Sequence, residues 1–328
     1  WGLVEEGTSF TNYFQPGQVL FVKRRAYQRK VAIADFAGVC SSDIYVLDSK
    51  NPTVLLPELL PFICQTEGFF QHAVATSDGS LSPRTNWRQL SSYEFPLPAL
   101  DEQRRVVNML SGIEETINVL KNAYKSLFIL WRSISANEFN RDNKSPMEKL
   151  DKHYSIISGQ VDPRQEEYST LPLISTNHIK KETGELLEVK TAKEQGAISG
   201  KYLFEKGDVI YSKIRPKLKN VFIAPFRGLC SADMYPLKPK SSMRKEYLFE
   251  ILLSDRFTQF AVSMSMRTGI PKINRKQLSR YICFIPSIYE QDKYLGRALL
   301  ARKNMKQLSE RIDSTYDLKK KILSKVLG

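Results

Sequence analysis

The stretch GVCSSDIYVL, residues 38–47, returns almost unchanged as GLCSADMYPL at residues 228–237. The echo runs well beyond ten letters. From Phe14 to Leu47 and from Phe204 to Leu237 the chain aligns with itself at an offset of 190 without a gap, and 15 of the 34 positions are identical. Gly17/Gly207, Lys23/Lys213, Arg25/Arg215, Cys40/Cys230 and Asp43/Asp233 are among them. A second block aligns at an offset of 188, pairing Phe69 with Phe257, Ala73 with Ala261 and Pro83 with Pro271. Constant spacing on both sides of a two-residue deletion marks one structural unit used twice. Each copy exceeds the ~20–50 residues of a solenoid repeat and has the size of a domain. The function must therefore account for two related modules in one chain.

Charge narrows the partner. The sequence carries 49 Lys and Arg against 35 Asp and Glu, a formal charge of +14 and a pI near 9.5. A field of that sign attracts polyanions and is the usual electrostatic footprint of a nucleic-acid binder, although a merely soluble basic protein would look the same. No run approaches the ~18 apolar residues of a spanning helix, so no membrane attachment is expected. Cys40, Cys64, Cys230 and Cys283 lack any C-x-x-C spacing and read as buried, reduced thiols, which fits the cytoplasm. Three dispersed histidines make no metal site, and neither a phosphate loop nor a dinucleotide fingerprint is present. The EVK triplet at 188–190 has the shape of a nuclease fragment but lacks an upstream Pro-Asp pair. The expectation is a binder without a reaction of its own.

Each unit opens with a turn-and-strand region. In YLFEKGDVIYSKIRP, residues 202–216, alternation sets Val209, Tyr211, Lys213 and Arg215 on one face of a half-buried strand. Val19, Phe21, Lys23 and Arg25 are in phase in the first copy, and KVAIADF returns as the next strand. Basic residues cluster at the turn: Lys23, Arg24, Arg25, Arg29 and Lys30, then Lys213, Arg215, Lys217 and Lys219. A solvated hairpin tip would explain either cluster; recurrence in both copies favours phosphate contact. A helical segment follows, EYLFEILLSDRFTQFAVSM at 246–264, and then a loop, GSLSPRTNWRQL (79–90) or GIPKINRKQL (269–278). There Arg84 and Lys272 are equivalent and, with Arg275, are candidates for DNA contact. Asn86 and Asn274 are equivalent candidates, but Asn-x-x-Gln before a short helix also reads as a capping box.

Each unit closes with a long helix. Val106, Leu110, Ile113, Ile117, Leu120, Tyr124, Leu127, Trp131 and Ile134 step by four and three, the seam of a coiled coil. Tyr294, Ala298, Ala301, Met305, Leu308, Ile312, Thr315, Lys319 and Ile322 keep the same register. Neither seam can stay exposed, so each is the natural partner of the other. An antiparallel pair would match bulky Trp131 with small Ala298 and Ala301. The derived fold class is α+β: two tandem-duplicated α/β domains separated by two long helices that form an antiparallel coiled coil. The boundaries read as 1–100, 101–144 (long helix and linker), 145–288 and 289–328 (second long helix).

These residues resemble the specificity subunits of type I restriction-modification systems. The resemblance rests on FQPGQVLFVKRRAYQRKVAIADFAGVCSSDIYVL (14–47), on GSLSPRTNWRQLSSYEFPLPALDEQRRVV (79–107) and on GIPKINRKQLSRYICFIPSIYEQ (269–291). PLPALDEQ leading into a long helix is especially characteristic, and the second copy departs from it as FIPSIYEQ. The resemblance implies two target recognition domains, each reading half of a bipartite double-stranded DNA target, with the helices as spacer. It implies two methyltransferase subunits docked on those helices and carrying S-adenosylmethionine, with restriction-translocase subunits in the full complex. The second copy has 58 residues, 146–203, before its Phe204, whereas 13 precede Phe14. Roughly 45 residues completing the first recognition domain are therefore expected to be missing. Their counterpart, residues 155–181, holds Thr176 and Asn177; Asn can read adenine bidentately, and a turn role for Asn177 is equally open. Two other functions fit: the recognition chain of a combined enzyme that cuts on both sides of its site, or a coiled-coil protein scaffold.

Overall fold

The computed structural model describes residues 10–140, 147–265 and 269–328, and in them the repeat becomes two units. One comprises the chain up to Lys125 together with Lys306–Gly328; the other is Ser126–Met305. In the first, strand Val19–Val22 lies between Val31–Ile33 and Ile44–Leu47, all antiparallel, with Val19 facing both Ile33 and Leu47. In the second, Val209–Ser212 lies between Val221–Ile223 and Met234–Pro239, with Val209 facing Ile223 and Leu237. Tyr154–Ile156 adds a fourth strand there.

The repeated phrase is a strand followed by a turn into the next strand. Gly38 and Gly228 open it because a Cβ at either would stand 2.8 Å from the Phe14 ring or 2.7 Å from the Phe204 ring. Ser41 and Ser231 then accept from the backbone N–H of Asp43 and Asp233, at 3.2 and 3.3 Å.

Two expectations change. The alternation of residues 209–215 predicts a half-buried strand, yet all four residues of Val209–Ser212 are buried. Ile210 enters one core with Phe204, Phe222 and Cys230, while Tyr211 packs edge-on against Phe257 on the opposite side. A strand covered on both faces carries no alternating polarity. The strand also ends before Arg215, which is left-handed, so Lys213 and Arg215 share no strand face. The segment 246–264 is two helices, Lys245–Leu253 and Asp255–Met264, because Ser254 caps the second by accepting from Phe257 N–H at 3.2 Å. Thr66 does the same for Glu67–Ala75 in the first unit.

The long helices are Leu100–Phe139 and Ile288–Val326, and each contributes one part to each unit. They pair antiparallel. In the first unit Glu114 meets Lys319 and Lys121 meets Tyr316; Leu110 and Val106 share a core with Leu323 and Leu327. In the second, Trp131 meets Arg302 and Phe139 meets Tyr294. Seam residues Leu110, Ile117, Trp131, Ala298 and Met305 are buried, and Tyr124, Ile312 and Ile322 are half-buried.

The glutamine of the EQ motif starts each long helix for a physical reason. Gln103 is buried; its amide donates to Val54 O and Pro98 O, both at 2.8 Å, and accepts from Leu56 N–H at 2.9 Å. Gln291 repeats the pattern with Ser242 O, Pro286 O and Arg244 N–H. One side chain thus satisfies three backbone groups at the start of each helix.

Candidate nucleic-acid interface

The basic turn of each unit is built on an uncommon backbone. Arg25 and Arg29 flank the short helix Ala26–Gln28 with φ of 56° and 54°; Arg215 and Lys219 flank Pro216–Leu218 with 48° and 51°. A left-handed residue with a Cβ costs roughly 1–2 kcal/mol, so the surrounding structure must impose it. It does so identically twice. Arg25 N–H donates to Pro83 O at 2.7 Å and Arg215 N–H to Pro271 O at 2.8 Å. Thr85 N–H and Ile273 N–H return bonds to Lys23 O and Lys213 O. The turn and the loop, distant in sequence, are thereby laid side by side. Lys23, Arg24 and Arg25 stand with Arg84, and Lys213, Arg215 and Lys217 stand with Lys272.

The side chains divide into engaged and presented. Arg29 forms a bidentate pair with Glu67, both bonds at 2.5 Å, and its counterpart Lys219 is buried against Asp255 at 2.6 Å. These two hold the turn in place. Although partial burial opposes it, Lys219 and Arg132 together keep the Asp255 carboxyl below its usual range. Lys23 sits over the Tyr45 ring at 4.7 Å and Lys213 over the equivalent Tyr235 at 5.4 Å. Lys213 also donates to Ala232 O, and burial pushes its ammonium down, with repulsion from Lys272 and Arg275 adding to the effect. Arg215, Lys217 and Lys272 are exposed. Arg84 is exposed too and donates to Asp43 at 2.8 Å, which holds that carboxyl below its usual range. An anion that replaces Asp43 as its partner would find a cation already in position.

The two asparagines take the capping role that their sequence offers. Asn86 and Asn274 cap the short helices Trp87–Leu90 and Arg275–Leu278, accepting from Gln89 N–H at 2.9 Å and Gln277 N–H at 2.8 Å. Gln277 closes the box by accepting from Asn274 N–H. Their oxygens are committed to the backbone. Arg275 is partly committed: it lies over Tyr235 and Tyr202 and donates to Ser158 Oγ at 2.8 Å and to Ile157 O. Thr176 and Asn177 lie in the short helix Thr176–His178, Thr176 half-buried and Asn177 exposed.

Sequence reasoning passed over Trp87. It occupies the position of Arg275, is exposed, and meets Tyr45 edge-on at 5.6 Å. Its place in the repeat was the available signal.

Among the described residues no group of three or more His, Cys, Asp or Glu could hold a metal, and no helix is long and apolar enough to cross a membrane. All four cysteines are unpaired and buried, and burial pushes the Cys64 and Cys283 thiols up to about 12.

The family model for the type I restriction modification DNA specificity domain matches residues 4–127 and again 154–326, once for each copy of the repeat. The chain belongs to this family. The type I restriction enzyme EcoDI specificity subunit of Escherichia coli is 42% identical over 124 residues, a match that spans 38% of this chain and 28% of that subunit. Two solved structures share the fold of this specificity-domain protein. A type I restriction-modification S subunit from M. genitalium aligns over 98% of this chain and 84% of its own, with a TM-score of 0.64 at 14% identity. A chain from structural work on complex assembly and conformational transition of the type I R-M system aligns over 99% and 85%, with a TM-score of 0.58 at 19% identity.

Proposed function

We propose that this chain is the DNA-reading component of a type I restriction-modification complex, each unit recognising one half of a bipartite double-stranded target. One observation carries the reading. The same cationic construction, a left-handed basic turn bonded to a Pro-containing loop, occurs at equivalent positions in both units of a family member. Arg215, Lys217 and Lys272 in one unit, and Arg25 and Arg84 in the other, bind phosphates; Thr176 and Asn177 contact bases. The long helices set the spacing of the half-sites and dock two methyltransferase subunits, for which the exposed Met109, Val119, Ile129, Leu130, Leu299 and Leu300 offer apolar contact. S-adenosylmethionine belongs to those partners, and restriction-translocase subunits join the same core. The chain itself performs no catalysis, and its unpaired thiols suit the cytoplasm.

A salt titration on a duplex carrying both half-sites tests this reading against a protein scaffold. DNA binding through these five phosphate contacts weakens with a log–log slope of about −4.5, whereas apolar docking of a partner helix barely responds. A slope near zero, or equal affinity for duplexes with and without the half-sites, contradicts it.

A further inference from the structure

Arg302 stands where the second long helix meets the region that carries Thr176 and Asn177. Its guanidinium lies 5.2 Å from the centre of the Trp131 ring and 4.6 Å from that of Phe249. It donates to Thr183 O at 2.6 Å, and its Nε is 3.8 Å from the Glu250 carboxylate. Thr183 belongs to a tight hairpin closed by the Ile179–Leu186 bridge and by bonds between Lys180 and Glu185. Two of its residues are left-handed, Glu182 at φ 63° and Gly184 at 67°. A Cβ on Gly184 would lie 2.3 Å from Val221 O and 2.6 Å from the Phe249 ring, so only glycine fits against the helix Lys245–Leu253.

The hairpin follows directly on the turn Thr176–His178. Leu187 N–H donates to His178 O at 2.9 Å, and Ile179 is buried in the core with Ile174 and Phe222. On its other side the turn leaves strand Leu173–Ile174, which pairs with Leu229 and Cys230. The turn is therefore fixed from one side by a sheet and from the other by a hairpin that Arg302 clamps. The equivalent position in the first unit is Glu114, which pairs with Lys319, so the clamp is confined to the second unit.

We propose that Arg302 is a positioning residue for DNA reading by the second unit: by clamping the 179–186 hairpin to the long helix, it holds the turn Thr176–His178 in the geometry that base contact needs. The proposal rests on the assignment of Thr176 and Asn177 as base contacts. A planar, stacked donor suits the task, because a lysine ammonium has no flat face to pack against both Trp131 and Phe249 while it donates to Thr183 O.

The experiment uses the full chain with its methyltransferase partner and a duplex library randomised in both half-sites. Three variants are compared: Asn177→Ala, which removes a reading side chain; Arg302→Lys, which loosens the clamp; and Gly184→Ala, which displaces the hairpin from its other side. Asn177→Ala is expected to lower discrimination at one base pair of one half-site about tenfold. Arg302→Lys and Gly184→Ala should blur that same half-site at least fivefold while the other half-site keeps its preference. If Asn177→Ala lowers discrimination and both clamp variants leave it intact, the positioning role is wrong and the reading assignment stands. If Asn177→Ala is silent, the assignment itself fails. Equal loss at both half-sites makes Arg302 a general stabiliser and overturns the proposal.

Discussion

Trp131 and Lys319 occupy the same position of the two long helices, and both are buried against acidic partners. The Trp131 indole donates to Glu250 at 3.0 Å; the Lys319 ammonium donates to Glu114 and to Gln65, each at 2.6 Å, and lies over the Phe62 ring. The seam is apolar for most of its length, and Trp131 and Lys319 each bring a polar contact into it. A polar layer penalises any register that leaves its charge unpaired, so these two layers favour the observed antiparallel pairing.

Breaking the Lys319 layer on one side should be costly, and removing it whole should not. Glu114→Ala leaves a buried ammonium short of its counter-ion and is expected to destabilise by about 2–4 kcal/mol in urea unfolding. Glu114→Met with Lys319→Met should return to within about 1 kcal/mol of the parent. A double variant as unstable as the single one would show that the charges themselves hold the helices together.

Trp131→Phe keeps most of the ring but strips Glu250 of a donor, at an expected cost of about 1–3 kcal/mol. Trp131→Ala adds the loss of packing and should reach about 3–5 kcal/mol. Equal melting temperatures for the alanine variant and the parent would place the indole outside the core.

Burial pushes the Glu250 carboxyl above its usual range, against the pull of Arg302 and the bonds from Trp131 and Tyr294. A raised folded-state pKa favours the fold at acid pH, and that contribution fades as pH rises from the unfolded carboxylate range through the raised value. Glu250→Gln removes the ionisation and keeps an acceptor. Its stability relative to the parent should therefore increase with pH from about 4.5 upward. A constant difference across that range would mean that Glu250 is charged in the fold as readily as in the unfolded chain.

How much of this was legible in the sequence follows from where each partner lies. The duplication, the a/d seam and the Asn86 and Asn274 caps are local or periodic patterns, and each appears where the residues put it. Both caps are local: Gln277 closes a box on Asn274, whereas Gln89 accepts from the Asn86 side chain instead. Glu250, Arg302 and Trp131 come from three separated segments, so no periodicity announces that they meet. Lys319 keeps the seam register, but nothing near it in sequence announces its counter-ion, because Glu114 sits on the other helix. The left-handed turns escaped notice for another reason: arginine and lysine give no sign of positive φ, and the carbonyls of Pro83 and Pro271 that accept from Arg25 and Arg215 lie far away in sequence.

That geometry sharpens the phosphate assignment. Lys213 and Lys219 are engaged within the fold, so Arg215 and Lys217, with exposed Lys272 beside them, carry the expectation in the second unit. Each alanine substitution should weaken binding evenly across sequences and reduce the salt slope by about 1. A change confined to one base preference would make either residue a base contact instead.

In the proposed function, the paired helices hold two reading units at a fixed spacing. One heptad added to each, after Leu120 and after Ile312, preserves the seam and lengthens the pair by about 10 Å. That equals about three base pairs at ~3.4 Å each. The most direct measurement is methylation by the extended chain with its methyltransferase partner, on duplexes whose half-sites are separated by every spacer length. The half-site sequences should stay the same while the preferred spacer grows by about three base pairs, with weaker binding because DNA turns about 100° over that distance. Methylation that still peaks at the original spacing would contradict the claim and leave the helices as a docking platform only.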